Sequence, residues 1–364
     1  MIPYVEVRDK YTLKAVAVVE PQECWFELSW QEVGEFEVYC RASAANLAAL
    51  QKGRYITLPN KRFIWVITAV RYTFTAGGAR MISATGFEAK WLLGKRCILT
   101  PKELSGTITT ACYGLVNHNL GTGANAARKI VGFTVDTNDV LVDISGKQAQ
   151  RGNLLEFVTG LLKQYNCGHI VELVNGEIKY RIFAGEVKTS SVRFSQSLDS
   201  LLSSEYLTDD AEQATFALVV STFDETTTVD DVEYKKKVDY TQEYDEGGTG
   251  IDRAEIVIAS NISTKYEDAN GEEKEVGPTS TVYKGWQTEE AKATLAELVT
   301  REEISGEIDI ANSNYTFDVD FFIGDLVRVQ DDYFKFSASP RITKYTLKQD
   351  ANGYGEEAEY GGKQ

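Results

Sequence analysis

CWFELSWQEVGEFEVYC, residues 24–40, decides how this chain is read. Aromatic and aliphatic residues alternate with polar ones through two short runs that break at Gly34. Period-two alternation bounded by turn residues marks half-buried antiparallel strands. Moving outward, ASAANLAALQKG reads as a short helix over 44–51 that leads into the strand RYITL. FIWVITAVRYTFTAGGARMISATGFEAKWLLGKR then reads as a meander closing on a second small helical turn by Arg96. On the N-terminal side, YVEVRD and AVAVV add one or two strands. Strands are predicted near 25–28, 35–39, 55–58, 64–73 and 79–87, with turns at Gly34, Gly53 and the Gly77-Gly78 pair. They suffice for a small barrel with one helix over an end, bounded near Thr100, where Pro101 follows.

At 364 residues the chain is too long for one ordinary core, and about 150 residues per domain gives two or three domains. Hydrophobic residues at 43% and charged residues at 25% fit packed globular cores. The net charge of −16, from 54 acidic and 38 basic residues, argues against a chain that grips nucleic acid, because such grip rests on neutralising phosphates. It is compatible with a surface past which nucleic acid slides. No apolar run approaches the roughly 18 residues of a membrane span, and no signal peptide is expected. The five cysteines are scattered without a CxxC pair, which fits buried thiols in a protein folded in a reducing cytoplasm.

From Leu104 the character turns to mixed helix and strand. SGTITTACYGLVNHNL predicts a helix over about 107–118 with a cap at Ser105, its apolar residues Ile108, Ala111, Cys112 and Leu115 sharing a face. Strands are expected near 130–135 and 140–144. Gly152-Asn153 caps LLEFVTGLLKQY, whose leucine-rich stripe is broad enough to bury. In HIVELVNGEIKYRIF, Asn175-Gly176 between alternating runs is a strong hairpin signal. SVRFSQSLDSLLSSEYL reads as a return connection. TFALVVSTF, VEYKKKVDY and AEIVIAS read as strands joined by exposed, mobile linkers such as DETTTVDD and DEGGTG. A helix capped at Thr288 covers TEEAKATLAELVTREE, strands return through EIDIA, YTFDVDF, DLVRVQ, YFKFSA and RITKYTLKQ, and the last residues read as partly disordered. Two strand-rich units therefore flank a central α+β unit.

A search for chemistry yields no catalytic centre. Cys167 and His169, two apart, fit a turn entering a strand better than a nucleophile and its base. Cys112 and His118 lack a second pair of zinc ligands. The paired acids Glu289-Glu290, Glu302-Glu303 and Asp331-Asp332 fit solvated surface better than glycosidase acids. DTNDVLVD from Asp136 has Val140 where a calcium loop needs an oxygen and Leu141 where it needs glycine. GTGAN at Gly121 lacks the phosphate-cradling pattern. Lys235–Lys237 fit a strand edge facing water, where lysines discourage unwanted pairing. Most of the 19 tyrosines lie in alternating runs and read as sheet and interface material. No catalytic, cofactor-binding or metal residue is assigned.

The chain resembles the siphovirus tail-tip hub proteins, related to the baseplate hub and N-terminal tail-associated (Tal) proteins of long-tailed phages. The resemblance is carried by GEFEVYCRASAANLAALQKGRYITL with ATGFEAKWLLGKR, by RGNLLEFVTGLLKQYNCGHIVELVNGEIKYRIF with VRFSQSLDSLLSSEY, by GIDRAEIVIAS, and by FFIGDLVRVQ with RITKYTLK. It implies an α+β, mainly β fold: a first β-barrel domain over 1–100, an α+β domain over 101–205, a second β-barrel domain over 206–355 with a helical insertion near 287–304, and a flexible tail over 356–364. It further implies a homotrimeric ring at the tip of the virion tail, assembled in the host cytoplasm, that continues the tail tube. The implied partners are a distal tail or tail-tube protein, the tape-measure protein and tip or fibre proteins, with DNA passing through unbound. Trp25, Trp30, Phe36, Leu47, Leu50 and Trp65 are the candidate ring-interface residues, and the helix over 44–51 a candidate contact. The family's long C-terminal extension, which carries peptidase, muramidase or host-binding activity in some relatives, has no counterpart after Gln364, so no enzymatic role is expected. The alternatives are a virion-associated cell-wall hydrolase and a host-surface recognition protein at the tail tip.

Overall fold

The alternating stretches fold as the strands they predict. A computed structural model of the chain describes residues 2–74, 77–144, 146–230, 232–268, 271–298, 301–331, 333, 336–351 and 353–361. In it β1 (Val5–Arg8), β2 (Ala15–Val19), β3 (Glu23–Ser29) and β4 (Glu35–Arg41) precede helix α1 (Ala44–Ala49), followed by β5 (Tyr55–Thr57), β6 (Ile64–Phe74) and β7 (Arg80–Glu88). Successive strand side chains point to opposite faces, so Phe36, Val38 and Cys40 of β4 are buried while their neighbours are not. α1 begins at Ser43, whose hydroxyl accepts from the Asn46 N–H at 3.0 Å, satisfying a donor that the first helical turn leaves open. A 3-10 turn over Ala89–Lys95 ends this region.

The central region holds α2 (Ile108–Leu120), β8 (Phe133–Val135), α3 (Leu154–Gln164), β9 (Gly168–Val174) and β10 (Glu177–Phe183). Asn153 caps α3, accepting from Leu155 and Glu156 at 2.9 and 3.3 Å. Asn175 and Gly176 both take positive φ, 51° and 81°, the backbone that a two-residue hairpin turn demands. Leu154, Val158, Leu161 and Leu162 of α3 pack with Cys112, Ile178 and Tyr180 in a second core, which also takes in Tyr55, Ile64 and Val66 of the first region. α2 is capped by Thr107, not Ser105: the Thr107 hydroxyl accepts from Thr110 N at 3.2 Å. The strand expected over 140–144 is reduced to a single bridge between Thr107 and Asp143.

The rest of the chain supplies β11 (Leu201–Asp209), β12 (Phe216–Val229), β13 (Val232–Asp245), β14 (Glu255–Ala259), α4 (Thr281–Glu297), β15 (Arg301–Asp309), β16 (Arg341–Asp350) and β17 (Gly353–Gly361). The two flanking β regions are hydrogen-bonded to each other. One eleven-stranded sheet runs β11-β15-β17-β16-β3-β4-β7-β6-β5-β1-β2, and β3 and β16 are its seam. One core backs it, containing Phe26, Phe36 and Trp65 from the first region and Tyr345, Leu347 and Tyr360 from the last. The chain is thus mainly β, with an α+β unit between the two β regions.

Four further expectations are corrected. Residues 356–361 are no flexible tail: they lie in β17, where Ala358 and Tyr360 enter the core and both neighbouring strands pair with them. Residues 362–364 lie outside the described residues. α4 starts at the Ser280 cap, whose hydroxyl accepts from Tyr283 N at 3.1 Å, and Thr288 sits inside it with its hydroxyl donating to the Lys284 carbonyl. DETTTVDD is no linker, since residues 224–229 extend β12 into a long antiparallel arm with β13. Its threonines and valine favour the extended backbone, and Asp231 lies outside the described residues. Finally, the return connection contains β11, which runs unbroken through the expected boundary at 205/206 and ends the large sheet. Lys235–Lys237 lie exposed on β13, an edge strand of the sheet β13-β12-β14.

Candidate assembly surfaces

The residues that suggested chemistry turn out to have structural partners. His169 is fully buried, with its ring nitrogens 3.1 Å from the Tyr180 hydroxyl and 3.1 Å from the Gln31 carbonyl. Burial, reinforced by the nearby Lys90 charge, pushes its pKa down to about 3, so it is neutral at physiological pH. The Cys167 thiol donates to the Tyr165 carbonyl at 3.3 Å, and burial pushes it up to about 11. A protonated thiol and an imidazole committed elsewhere make no nucleophile–base pair. Asp139 accepts from the Thr107 and Thr109 hydroxyls at the start of α2. Among the described residues no group of three His, Cys, Asp or Glu side chains is placed to hold a metal. A cavity of about 270 Å³ between α3 and α4 is lined by Phe157, Leu161, Ile262 and Trp286 with Lys147 and Glu290. Both charges there already hold α4: Lys147 donates to Gln164 Oε1 and the Glu289 carbonyl at 3.0 and 3.2 Å, and Glu290 accepts from Ser260 at 2.6 Å.

Four of the six candidate interface residues are interior. Phe36 stacks on Phe26, and Trp65 packs tilted on Phe26 and donates its indole N–H to the Glu27 carbonyl at 2.9 Å. Leu50 closes the end of α1 with no exposed surface. Alternation puts Phe36 and Trp65 on the core face, where large apolar side chains gain most from leaving water. Only Leu47, 40% exposed, and the half-buried Trp25 remain at the surface.

Trp30 is instead the rivet of the molecule. Its N–H donates to the Thr343 carbonyl at 2.8 Å and its carbonyl accepts from His169 N at 3.2 Å, so it ties the last β region and the α+β unit to the first. Its ring meets Phe183 edge-on at 4.8 Å and has the Arg341 guanidinium 5.1 Å from its centroid. Glycine is required on both sides: a Cβ at Gly168 or Gly324 would stand 2.1 or 2.0 Å from the ring. Beneath it lie Glu88 and Lys90, both fully buried and 3.3 Å apart. Lys90 Nζ donates to the Ser29 and His169 carbonyls at 2.5 and 3.2 Å.

The surface left open is the outer face of the large sheet. Along the run β11-β15-β17-β16-β3-β4-β7-β6 one face packs on the core, and the other is covered at the start of β6, where Ile64 and Val66 enter the core of the α+β unit. On the other face Glu27 stands opposite Thr346, Thr346 opposite Glu357, and Glu357 opposite Asp309. A parallel row sets Lys344 opposite Glu359 and Glu359 opposite Glu307. Glu357/Asp309 and Glu359/Glu307 are like charges in directly opposed positions, an arrangement that weakens a sheet. The lysines of this face are taken up by its acids, Lys344 by Glu359 at 2.9 Å and Lys348 by Glu357. The acidic face was missed in the sequence, although the alternate acids of ECWFEL, GEFEVY and GEIDI signal it.

A family model described as Siphovirus ReqiPepy6 Gp37-like protein matches residues 4–361. No curated protein matches the chain. Among solved structures, the tail protein from Neisseria meningitidis MC58 superposes with a TM-score of 0.55 at 11% identity, over 99% of this chain and 96% of that one. The 43 kDa tail protein of prophage MuSo2 from Shewanella oneidensis gives 0.56 at 11% identity, over 98% and 97%. Prophage tail protein gp18 from Listeria monocytogenes EGD-e gives 0.51 at 10% identity, over 98% and 94%. These likenesses are of fold.

Proposed function

The chain belongs to the Siphovirus ReqiPepy6 Gp37-like protein family, and from that premise we propose that it is a structural hub of a phage or phage-like tail tip. Copies of it form a homotrimeric ring that continues the tail tube, joins it to tip components, and leaves a channel for DNA or the tape-measure protein. It performs no catalysis. Its partners are a distal tail or tail-tube protein, the tape-measure protein and tip or fibre proteins, and its place is the tip of the virion tail. The fold shared with solved tail proteins supports a tail role.

One observation carries the channel: a long antiparallel sheet with its core on one face and, across β15, β17, β16 and β3, a partly exposed acidic face on the other. In a ring built from such sheets the bulky elements pack behind the core, and the open face is the one free to line a bore. Opposed carboxylates repel a polyanion at close range, within a Debye length of about 8 Å at physiological salt, so duplex DNA passes without adhering.

Electron microscopy of the purified chain tests this directly. The probe is a gold cluster on Glu357→Cys, with the exposed native thiol removed by Cys97→Ser. A ring with gold in its central hole is expected. Monomers under all assembly conditions, with no threefold ring in tail-tip images, overturn the hub; gold on the outer rim overturns the channel face. Release of fragments from purified cell wall by the isolated chain would overturn the non-enzymatic reading.

A further inference from the structure

We infer that the open face of the small sheet β13-β12-β14 is a docking surface for a basic, amphipathic helix of a different protein. This sheet is separate from the large one, and the inference depends on neither the ring nor its channel. β12 pairs antiparallel with β13 and, over residues 216–220, parallel with β14. Alternation divides these strands between two faces. On one face Ala217, Val219, Ile256 and Ile258 pack with Ala291 and Leu295 of α4. On the other, Phe216, Leu218 and Val220 of β12 stand beside Glu255, Val257 and Ala259 of β14. That second face is open: Val257 is 72% exposed, and Glu255 and Ala259 are exposed with it. Parallel pairing is typical of sheets covered by helices on both faces, and an apolar patch with a polar rim marks a binding surface. Here α4 supplies one layer, and the opposite face is apolar at its centre.

Charge specifies the partner. On the open face Asp245, Glu243 and Thr241 of β13 stand opposite Phe216, Leu218 and Val220, so one side of the apolar stripe is lined with acids. The chain itself shows how this face receives a cation. Arg253, on the connection into β14, has its guanidinium 4.6 Å from the Phe216 ring centroid and donates to Asp245 at 2.9 Å and Glu255 at 2.6 Å. That fills the first row. One row on, Glu243 is exposed beside Leu218 and Val257, with no cation paired to it among the described residues. An arginine or lysine of a partner, set beside its own apolar residues, repeats there the arrangement that Arg253 makes.

Size and supply identify the occupant further. From Phe216 to Val220 the stripe is about 13 Å long, the length of about nine helical residues. A second copy offers no such helix among the described residues: α2 and α3 are packed in the second core, α4 is packed on this sheet, and α1 has six residues.

Three fluorescent peptides of about fifteen residues, stapled to hold the helix, test this with the purified chain by anisotropy. The first carries leucines at i, i+3, i+4 and i+7 flanked by arginines. The second has glutamates in place of the arginines, and the third keeps the composition of the first with its spacing broken. Saturable binding of the first alone is expected, about tenfold or more weaker to Val257→Lys and unchanged by Glu307→Gln on the large sheet. Glu243→Lys is expected to weaken the first peptide and admit the second. Circular dichroism checks that these variants, all at exposed positions, remain folded. Equal binding of the second peptide overturns the basic partner, equal binding of the third overturns the helix, and no binding of any overturns the surface. A loss in Glu307→Gln equal to that in Val257→Lys places the peptide on the large sheet and overturns the inference. Self-association of the free chain that Val257→Lys abolishes makes the occupant a second copy and overturns it as well.

Discussion

Lysine meets glutamate in two contrasting settings. Glu88 and Lys90 lie 3.3 Å apart at the junction of the first β region and the α+β unit, with no exposed surface on either side chain. Lys344 and Glu359 lie 2.9 Å apart on the open sheet face, 31% and 45% exposed. The groups are the same and the energetics opposite. At the junction burial raises the Glu88 carboxyl and lowers the Lys90 ammonium against their mutual attraction, so the pair persists through the hydrogen bonds that each charge makes. Glu88 accepts from Ser29 N and Gly34 N, both at 3.3 Å, and Lys90 binds carbonyls on two regions. On the open face the pairs are screened and contribute about 0–1 kcal/mol, yet they stand beside opposed carboxylates that weaken the sheet. Charge at the junction fixes geometry. Charge on the face sets a surface potential.

The largest expected effect breaks the junction. Glu88→Ala strands the fully buried Lys90, and removing one partner of a buried pair costs about 3–5 kcal/mol. Urea unfolding reads this as a lowered midpoint. The double variant Glu88→Leu/Lys90→Met is expected to recover most of the loss, because apolar groups of similar volume need no partner. A loss below about 1 kcal/mol in the single variant would show that the junction tolerates a bare charge, and the contrast with the open face would fail.

An intermediate effect is read by pH. His169 is held neutral at about 3 in the folded chain, against about 6.5 unfolded. Between these values the unfolded chain binds more protons, so stability rises with pH. This contribution is fully present above pH ~6.5 and is lost on acidification toward 3, at about 1.4 kcal/mol per unit through the middle of the window. Unfolding midpoints measured from pH 7 to 4 check the slope, and His169→Gln is expected to flatten it. An unchanged slope would place the acid sensitivity elsewhere.

The fold was legible where alternation and turn chemistry agree: the strands of the first region, the Asn175-Gly176 hairpin and the Asn153 cap are local signals that the structure keeps. Local signals misled where tertiary partners decide. GYGEEAEYGG looks loose by composition, yet Ala358 and Tyr360 find a core prepared by the first region. DETTTVDD looks like a linker by its acids and threonines, yet β13 pairs with its residues 224–229. The candidate interface was chosen from large aromatic residues of the first barrel, and Trp30, Phe36, Leu50 and Trp65 proved to be interior. The site that supports the proposed function is made by register: Glu359 meets Glu307 only because β17 lies between β15 and β16, and no spacing within one strand reveals which residue will stand opposite on another.

The smallest expected effect has the most telling sign. If the acids of the open face served stability, neutralising one would weaken the chain. Glu307 stands directly opposite Glu359, while Lys344 is already engaged by Glu359 and lies 3.9 Å from Glu27. Glu307 also attracts Lys344 and Lys348, but each keeps a nearer carboxylate in Glu359 and Glu357, so removing one charge of the opposed pair costs the lysines little and relieves repulsion. Glu307→Gln is expected to raise stability by a few tenths of a kcal/mol at low salt, the range of a like-charge cross-strand pair after screening. The gain should shrink as salt rises, because screening already does part of what the substitution does. Thermal unfolding of the parent and the variant at low and high salt measures both. A loss of stability on neutralisation, or a gain indifferent to salt, would make these carboxylates structural and remove the reason to see the face as a wall kept acidic against its own folding energy.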